Sequence, residues 1–187
     1  MTRYLKALYR RRARRLFDVV AVHSYSRNAG GVLGTVKRAR SVMRRAGDRR
    51  KQVWVTEVGW GTAGRANGFS AAYKTTPAGQ AARLTRLYRG FAKARRRLKV
   101  GMVVWFSWRD RAPEPGEDNW WAINTGLFDR AGNPKPAWQA FARVSGGRAG
   151  LGAPAPTAGG PPAPPSAPPP GGGGGGGGGG CSLLIFC

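Results

Sequence analysis

The chain is poor in acidic residues, histidine and cysteine, and each shortage narrows the functions open to it. Of its 187 residues, 8 are Asp or Glu, 1 is His and 2 are Cys. Both cysteines, Cys181 and Cys187, stand at the far end, so the rest of the chain offers no disulfide framework and no zinc-ligand spacing. No apolar run is long enough to span a bilayer. We therefore predict no metal site and no membrane span.

Two further motifs are missing. No apolar segment follows Met1, as a signal peptide would require, so the sequence leaves the localisation unknown. No glycine-rich phosphate loop follows any strand-like run, which argues against a nucleotide cofactor. We expect no cofactor of any kind.

Glycine and proline are abundant, but they are concentrated at the end of the chain. From about residue 146 the composition changes to Gly, Pro and Ala, and residues 171–180 are an unbroken glycine run. Such a tract cannot build a core and is typical of a flexible linker or a disordered tail. We predict a globular domain over residues 1–145, which is long enough for one domain, and a low-complexity disordered tail over residues 146–187.

Positive charge dominates the chain, with 32 Lys and Arg and a net charge of +24. Arginine clusters lie at residues 10–15, 44–51 and 95–99. They could form a surface that binds polyanions, or they could be a solvated exterior with no partner. Because no nucleic-acid motif accompanies the charge, we predict no specific nucleic-acid site, and non-specific polyanion binding stays an alternative.

Hydrophobic periodicity predicts helices and strands in alternation. The predicted helices are Tyr4–Leu16, Val32–Ala46, Pro77–Arg97 and Pro134–Val144, and the predicted strands are Phe17–Tyr25, Gln52–Val58 and Val100–Trp108. The strands are nearly continuous apolar runs, which is typical of parallel strands. This order predicts an α/β fold, either part of a βα barrel or a doubly wound sheet, with ligands bound at the carboxyl edge of the strands.

Glu57 is the most informative single residue. It ends a β-branched apolar run and is followed by Gly59 and Trp60. A carboxylate at the end of a buried strand loses hydration and needs a compensating role. One interpretation is sugar chemistry, in which the carboxylate acts at the reacting carbon and an indole stacks on the sugar ring. The other is a salt bridge to one of the many arginines.

Other polar and aromatic side chains recur at the predicted carboxyl edge. His23 and Tyr25 end the first strand, and Trp105 and Trp108 end the third. Trp60 follows Glu57 at the same edge. We predict that these five residues contact the ligand.

Four segments together resemble a known family. They are 23–25 (His-Ser-Tyr), 55–62 (Val-Thr-Glu-Val-Gly-Trp-Gly-Thr), 105–110 (Trp-Phe-Ser-Trp-Arg-Asp) and the closing pair at 126–128 and 134–138. In order and spacing, residues 1–144 are similar to the C-terminal part of a clan A glycoside hydrolase, near families 5 and 39. That resemblance implies strands six to eight of a (β/α)8 TIM barrel and retaining hydrolysis of a polysaccharide or oligosaccharide.

The resemblance also implies roles for individual residues. Glu57 matches the catalytic nucleophile, and His23 and Tyr25 match a pair that contacts the nucleophile or the sugar. Trp105 or Trp108 matches an aromatic platform for the sugar. Ser24 stands where the family commonly has proline, and the intact relatives are often secreted.

The partner carboxyl of such enzymes is not visible in the sequence. The family's acid/base is a Glu that follows Asn, and no Asn-Glu pair occurs in this chain. Retaining hydrolysis needs two carboxyls, and three strands cannot close an eight-stranded barrel. We therefore expect a fragment with little activity by itself. The alternatives are a non-catalytic carbohydrate-binding remnant and a basic protein that binds polyanions.

Overall fold

The computed structural model describes residues 1–146 and 183–186. Its helices are α1 (Thr2–Arg10), α2 (Ala29–Arg45), α3 (Pro77–Leu98) and α4 (Pro136–Val144), and its strands are β1 (Val19–His23), β2 (Gln52–Val58), β3 (Val100–Trp105) and β4 (Leu183–Phe186). Short 3₁₀ turns lie at Ala13–Arg15, Gly68–Tyr73 and Trp121–Asn124.

The helix ends carry the expected capping residues. The Asn28 side chain accepts a hydrogen bond from the backbone of Gly31 at the start of α2, at 2.9 Å. Thr76 caps α3 in the same way, and Pro77 occupies the first helical position. Gly47 follows α2 with φ of 75°, a left-handed conformation that favours glycine.

The strands form one parallel sheet in the order β3-β2-β1-β4. Val20 pairs with Val53 and Val53 pairs with Val100, so β2 lies between β1 and β3. Consecutive strands are joined through α2 and α3, as parallel pairing requires. The predicted α/β class with a parallel sheet is confirmed.

The helices share a single apolar core with one face of the sheet. Residues of all four helices belong to this core, together with Val20 and Val22 of β1, Val53, Val55 and Val58 of β2, and Val100 and Trp105 of β3. Met102 and Val104 point the other way along β3 and are 37% and 39% exposed. Among the described residues no helix covers that second face, which differs from a doubly wound sheet, where both faces are covered.

The first predicted helix is wrong at its end. We predicted one helix from Tyr4 to Leu16, but α1 stops at Arg10, and Arg12 has a left-handed φ of 59°. Leu16, predicted on the apolar face, is 74% exposed. The chain turns here to enter β1, and Phe17 is buried instead, at 2% exposure.

Most of the predicted tail lies outside the described residues. The prediction of disorder over residues 146–187 therefore stays a prediction, except where the structure describes a strand. Residues 183–186 form β4, which pairs in parallel with β1 from Val19 to Val22. The prediction of a wholly disordered tail did not include this strand. Within the described part of the chain, no helix is long and apolar enough to cross a membrane.

Candidate functional site

Glu57 lies near the carboxyl end of β2, against the side chains of His23 at the end of β1 and Tyr25 just after it. The Tyr25 hydroxyl donates a hydrogen bond to Oε2 of Glu57 at 2.9 Å. Nδ1 of His23 lies 3.3 Å from the same oxygen. The side chains of His23 and Glu57 are 17% and 30% exposed, so the carboxylate is half-buried yet open to a ligand. The structure thus brings three of the predicted site residues together.

Backbone contacts fix the position of Glu57 relative to both neighbouring strands. The backbone N–H of Ser24 donates to the carbonyl of Glu57 at 3.0 Å, a bond that proline at position 24 could not make. On the other side, a Cβ on Gly59 would lie 2.1 Å from the carbonyl oxygen of Phe106. Glycine at 59 therefore allows β2 and the end of β3 to approach closely beside the carboxylate. The Phe106–Ser107 peptide bond there is cis.

An aromatic cluster lies behind Tyr25. The ring of Tyr25 is 5.3 Å from Trp121 in an edge-to-face contact and 6.0 Å from Tyr73. Tyr73 and Trp121 are themselves 5.1 Å apart and almost fully buried, and burial raises the pKa of Tyr73. This packing fixes the ring that donates to Glu57. Sequence reasoning missed Tyr73, because it lies in a polar loop with no periodic pattern.

Trp60 does not lie where the sequence predicted. We expected it at the edge of a sugar cleft, but its exposed fraction is zero. Its indole Nε1 donates to the carbonyl of Ser26 at 2.7 Å, and its ring lies 5.8 Å from the Arg83 guanidinium. The predicted position was wrong because this indole packs against Trp105 in the core and finds its hydrogen-bond acceptor there.

The third strand was predicted to reach Trp108, but β3 ends at Trp105, and these two aromatics differ in exposure. Trp105 is 7% exposed, donates to the carbonyl of Thr125 at 3.0 Å and packs against Trp60. Trp108 is 58% exposed, with ring contacts of 4.9 Å to Phe128 and 5.5 Å to Trp138. Of the three predicted indoles, only Trp108 presents a large exposed surface.

A buried ion pair holds the loop that follows β3. Nζ of Lys135 lies 2.9 Å from Oδ2 of Asp110, and the two side chains are 9% and 8% exposed. Lys135 also donates to Thr62 Oγ1 at 3.0 Å, while Asp110 Oδ1 accepts the backbone N–H of Gly126 at 2.7 Å. Burial lowers the pKa of Lys135, and Asp110 partly opposes that shift. The pair ties the loops after β2 and β3 to the start of α4.

The remaining acids with recorded contacts are engaged elsewhere. Asp48 accepts hydrogen bonds from Tyr9 and Lys51, and Glu117 pairs with Arg111 at 2.5 Å. No group of three or more His, Cys, Asp or Glu within residues 1–146 and 183–186 could hold a metal ion. The described site is therefore one carboxylate with a tyrosine and a histidine.

Comparison with known proteins gives structural neighbours only. No family model matches the chain, and no curated protein matches it. A GH2 β-galacturonidase from Eisenbergiella tayi bound to glycerol is similar, with a TM-score of 0.50 and 18% identity, over 68% of this chain and 23% of that one. The galacturonate-bound structure gives the same TM-score and coverage at 17% identity. A Faecalibacterium prausnitzii β-glucuronidase has a TM-score of 0.42 and 20% identity, covering 71% and 22%.

These neighbours correct part of the predicted resemblance. The two galacturonidase structures belong to family GH2, so the comparisons do not support the narrower assignment near families 5 and 39. At such low identity the likeness concerns the fold, and the chain spans about a quarter of the length of these neighbours. The comparisons therefore give a mixed α/β fold shared with part of a glycoside hydrolase.

Proposed function

We propose that the chain carries the nucleophile half of a retaining glycoside hydrolase, with Glu57 as the nucleophile. The observation that carries the proposal is the contact of Tyr25 and His23 with one oxygen of a half-buried carboxylate. Both contacts are made to Oε2, which leaves Oε1 as the oxygen that we assign to attack. A carboxylate held in this way is suited to attack a sugar carbon and then to leave it.

The two partners have separate tasks in this proposal. Tyr25 donates to Oε2 and so fixes the rotation of the carboxylate, and its own ring is fixed by the aromatic cluster. His23 lies at the end of β1, close enough to contact the same oxygen or a sugar hydroxyl. A nucleophile that is positioned before the substrate arrives loses little entropy on reaching the transition state.

We further propose that the sheet is a wall segment of a (β/α)8 barrel. Parallel strands with helices on one face, and a carboxylate at their carboxyl edge, are typical of that architecture. The second carboxyl, which protonates the leaving oxygen at a separation of about 5 Å, would come from another part of the barrel. The substrate class is a polysaccharide or oligosaccharide, in keeping with the galacturonidase name of the structural neighbours.

A substrate that needs no acid catalyst tests Glu57 directly. In a 2-deoxy-2-fluoroglycosyl fluoride, the Glu57 oxygen would form a bond to C1 while the C1–F bond breaks and fluoride departs with the electron pair. No proton donor is needed, and the fluorine at C2 slows hydrolysis of the ester. We expect one fluoroglycosyl group on the peptide that contains Glu57, detected by mass spectrometry with a panel of hexosyl, pentosyl and uronosyl fluorides.

Two variants control this experiment. Glu57→Gln should accept no label, because an amide is a poor nucleophile. Glu114→Gln, which changes an exposed glutamate of the loop after β3, should be labelled like the unmodified chain. Absence of label with every sugar, or label on another residue, would contradict the assignment and leave the carbohydrate-binding remnant as the better interpretation.

A further inference from the structure

Two basic clusters that are far apart in the sequence line one groove at the amino edge of the sheet. The groove has a volume of about 550 Å³, within the range of ligand sites. Its exposed cations are Lys37, Arg44 and Arg45 of α2, Arg49 of the loop before β2, and Arg97 of α3. None of the described residues that line it is an Asp or Glu. The fold thus concentrates positive charge that the sequence shows only as separate runs.

Helix stabilisation explains only part of this arrangement. Arg44, Arg45 and Arg97 lie in the last turns of α2 and α3, where cations interact favourably with the helix dipole. Lys37 lies two turns before the end of α2, and Arg49 lies outside any helix. Their convergence on the same groove therefore needs another explanation.

Arg40 provides an independent observation at the same place. It lines the groove but is only 5% exposed, and burial lowers the pKa of its guanidinium. Its Nη atoms donate to the carbonyl oxygens of Lys51, at 2.9 Å, and of Arg49. Its Nε is buried without a hydrogen-bond partner among the described residues. A buried cationic donor without a partner is costly, so Arg40 adds to the groove a positive charge whose donors are only partly satisfied by the protein.

The groove is separate from the Glu57 site. Glu57 lies near the carboxyl end of β2 and Arg49 precedes the amino end, so the strand from Gln52 to Glu57, roughly 17 Å long, lies between them. None of the described residues that line the groove is aromatic, so they offer no platform for stacking a sugar ring or a base. The guanidinium groups of the groove bind anionic groups through paired hydrogen bonds. A polymer that carries an anionic group on each unit suits such a surface.

We propose that this groove binds an acidic polysaccharide through its carboxylates and anchors the polymer that the Glu57 site acts on. The inference rests on the proposed function, because one polymer then serves both sites. Nucleic acid offers similar negative charge, but nothing at the Glu57 edge would act on it. The anchor would retain a long chain between cleavage events without contacting the reacting sugar.

Binding of a decagalacturonate to the full chain tests the proposal by calorimetry at physiological salt. We expect Arg44→Gln with Arg97→Gln to weaken binding about tenfold, the loss expected when one or two charge-assisted hydrogen bonds disappear. Arg11→Gln with Arg15→Gln removes the same charge from an exposed cluster outside the groove and should change the affinity less than twofold. A neutral decasaccharide should bind much more weakly than the acidic one.

Three results would overturn the inference. Equal losses in the two double variants would show diffuse electrostatic attraction, and equal binding of acidic and neutral chains would show that charge is not recognised. Tighter binding of single-stranded DNA of matching charge would assign the groove to nucleic acid. Failure of Glu57 labelling with intact groove binding would remove the catalytic proposal and the anchoring role that rests on it, and would leave the groove as a binding site for an acidic polysaccharide.

Discussion

The buried pair of Lys135 and Asp110 gives the most quantitative prediction. Lys135→Met removes the ammonium group and keeps much of the side-chain volume, which leaves the Asp110 carboxylate 7% exposed with one backbone donor, Gly126. It also removes the donor to Thr62 Oγ1. Breaking a buried ion pair from one side costs about 3–5 kcal/mol of unfolding free energy, because the remaining charge is uncompensated. That is a large share of the 5–15 kcal/mol typical of a domain.

Urea denaturation followed by circular dichroism measures this loss. The double variant Asp110→Asn with Lys135→Met should lose less unfolding free energy than Lys135→Met alone, because no unpaired charge stays buried. The matched control is Arg65→Met, which breaks a pair with Asp118 at 3.4 Å whose side chains are 80% and 76% exposed. That change should cost at most about 1 kcal/mol. A loss below about 1 kcal/mol for Lys135→Met, as for an exposed pair, would refute the reasoning.

Three further predictions concern the site and its surroundings. Tyr25→Phe should slow labelling of Glu57 about tenfold or more, as loss of one hydrogen bond to a charged group predicts, with an unchanged circular dichroism spectrum. Glu117→Gln tests a carboxyl whose pKa is lowered to about 2 by its arginine partner. The lowered pKa stabilises the folded state above about pH 4.5, so the difference in unfolding free energy between variant and parent should vanish as the pH falls towards 2, and a constant difference would contradict the assignment. Trp60→Ala should cost about 3–5 kcal/mol because the indole is fully buried, whereas Trp108→Ala should cost much less, and equal losses would show that exposure is not the cause.

The strand that carries Glu57 could be predicted from the sequence because local rules agree there. β2 has the predicted bounds, Gln52–Val58, since its apolar β-branched run is bounded by polar residues on one side and glycine on the other. Parallel pairing then brings its carboxyl end beside that of β1. Strand order thus predicts that Tyr25 and Glu57 lie at the same edge, whereas the contact between them was implied by the family resemblance.

Other features depend on contacts between distant residues. Trp60 lies in a segment rich in glycine and polar residues, and its burial depends on the carbonyl of Ser26 and the ring of Trp105. Lys135 and Asp110 are separated by a loop with no periodic pattern, so neither residue type indicates that the two are paired. The end of α1 was misplaced because an amphipathic pattern continues past Arg10 while the chain turns towards the sheet.

At Gly59 the close packing beside Glu57 is made by backbone atoms alone. Any side chain there would meet the Phe106 carbonyl at 2.1 Å, and a carbonyl cannot rotate aside as a flexible side chain can. In a saturation mutagenesis experiment scored on labelling of Glu57, position 59 should therefore tolerate almost no substitution, alanine included. The exposed arginines nearby should accept many replacements. The least replaceable neighbour of the carboxylate is then a residue with no side chain and no part in the chemistry.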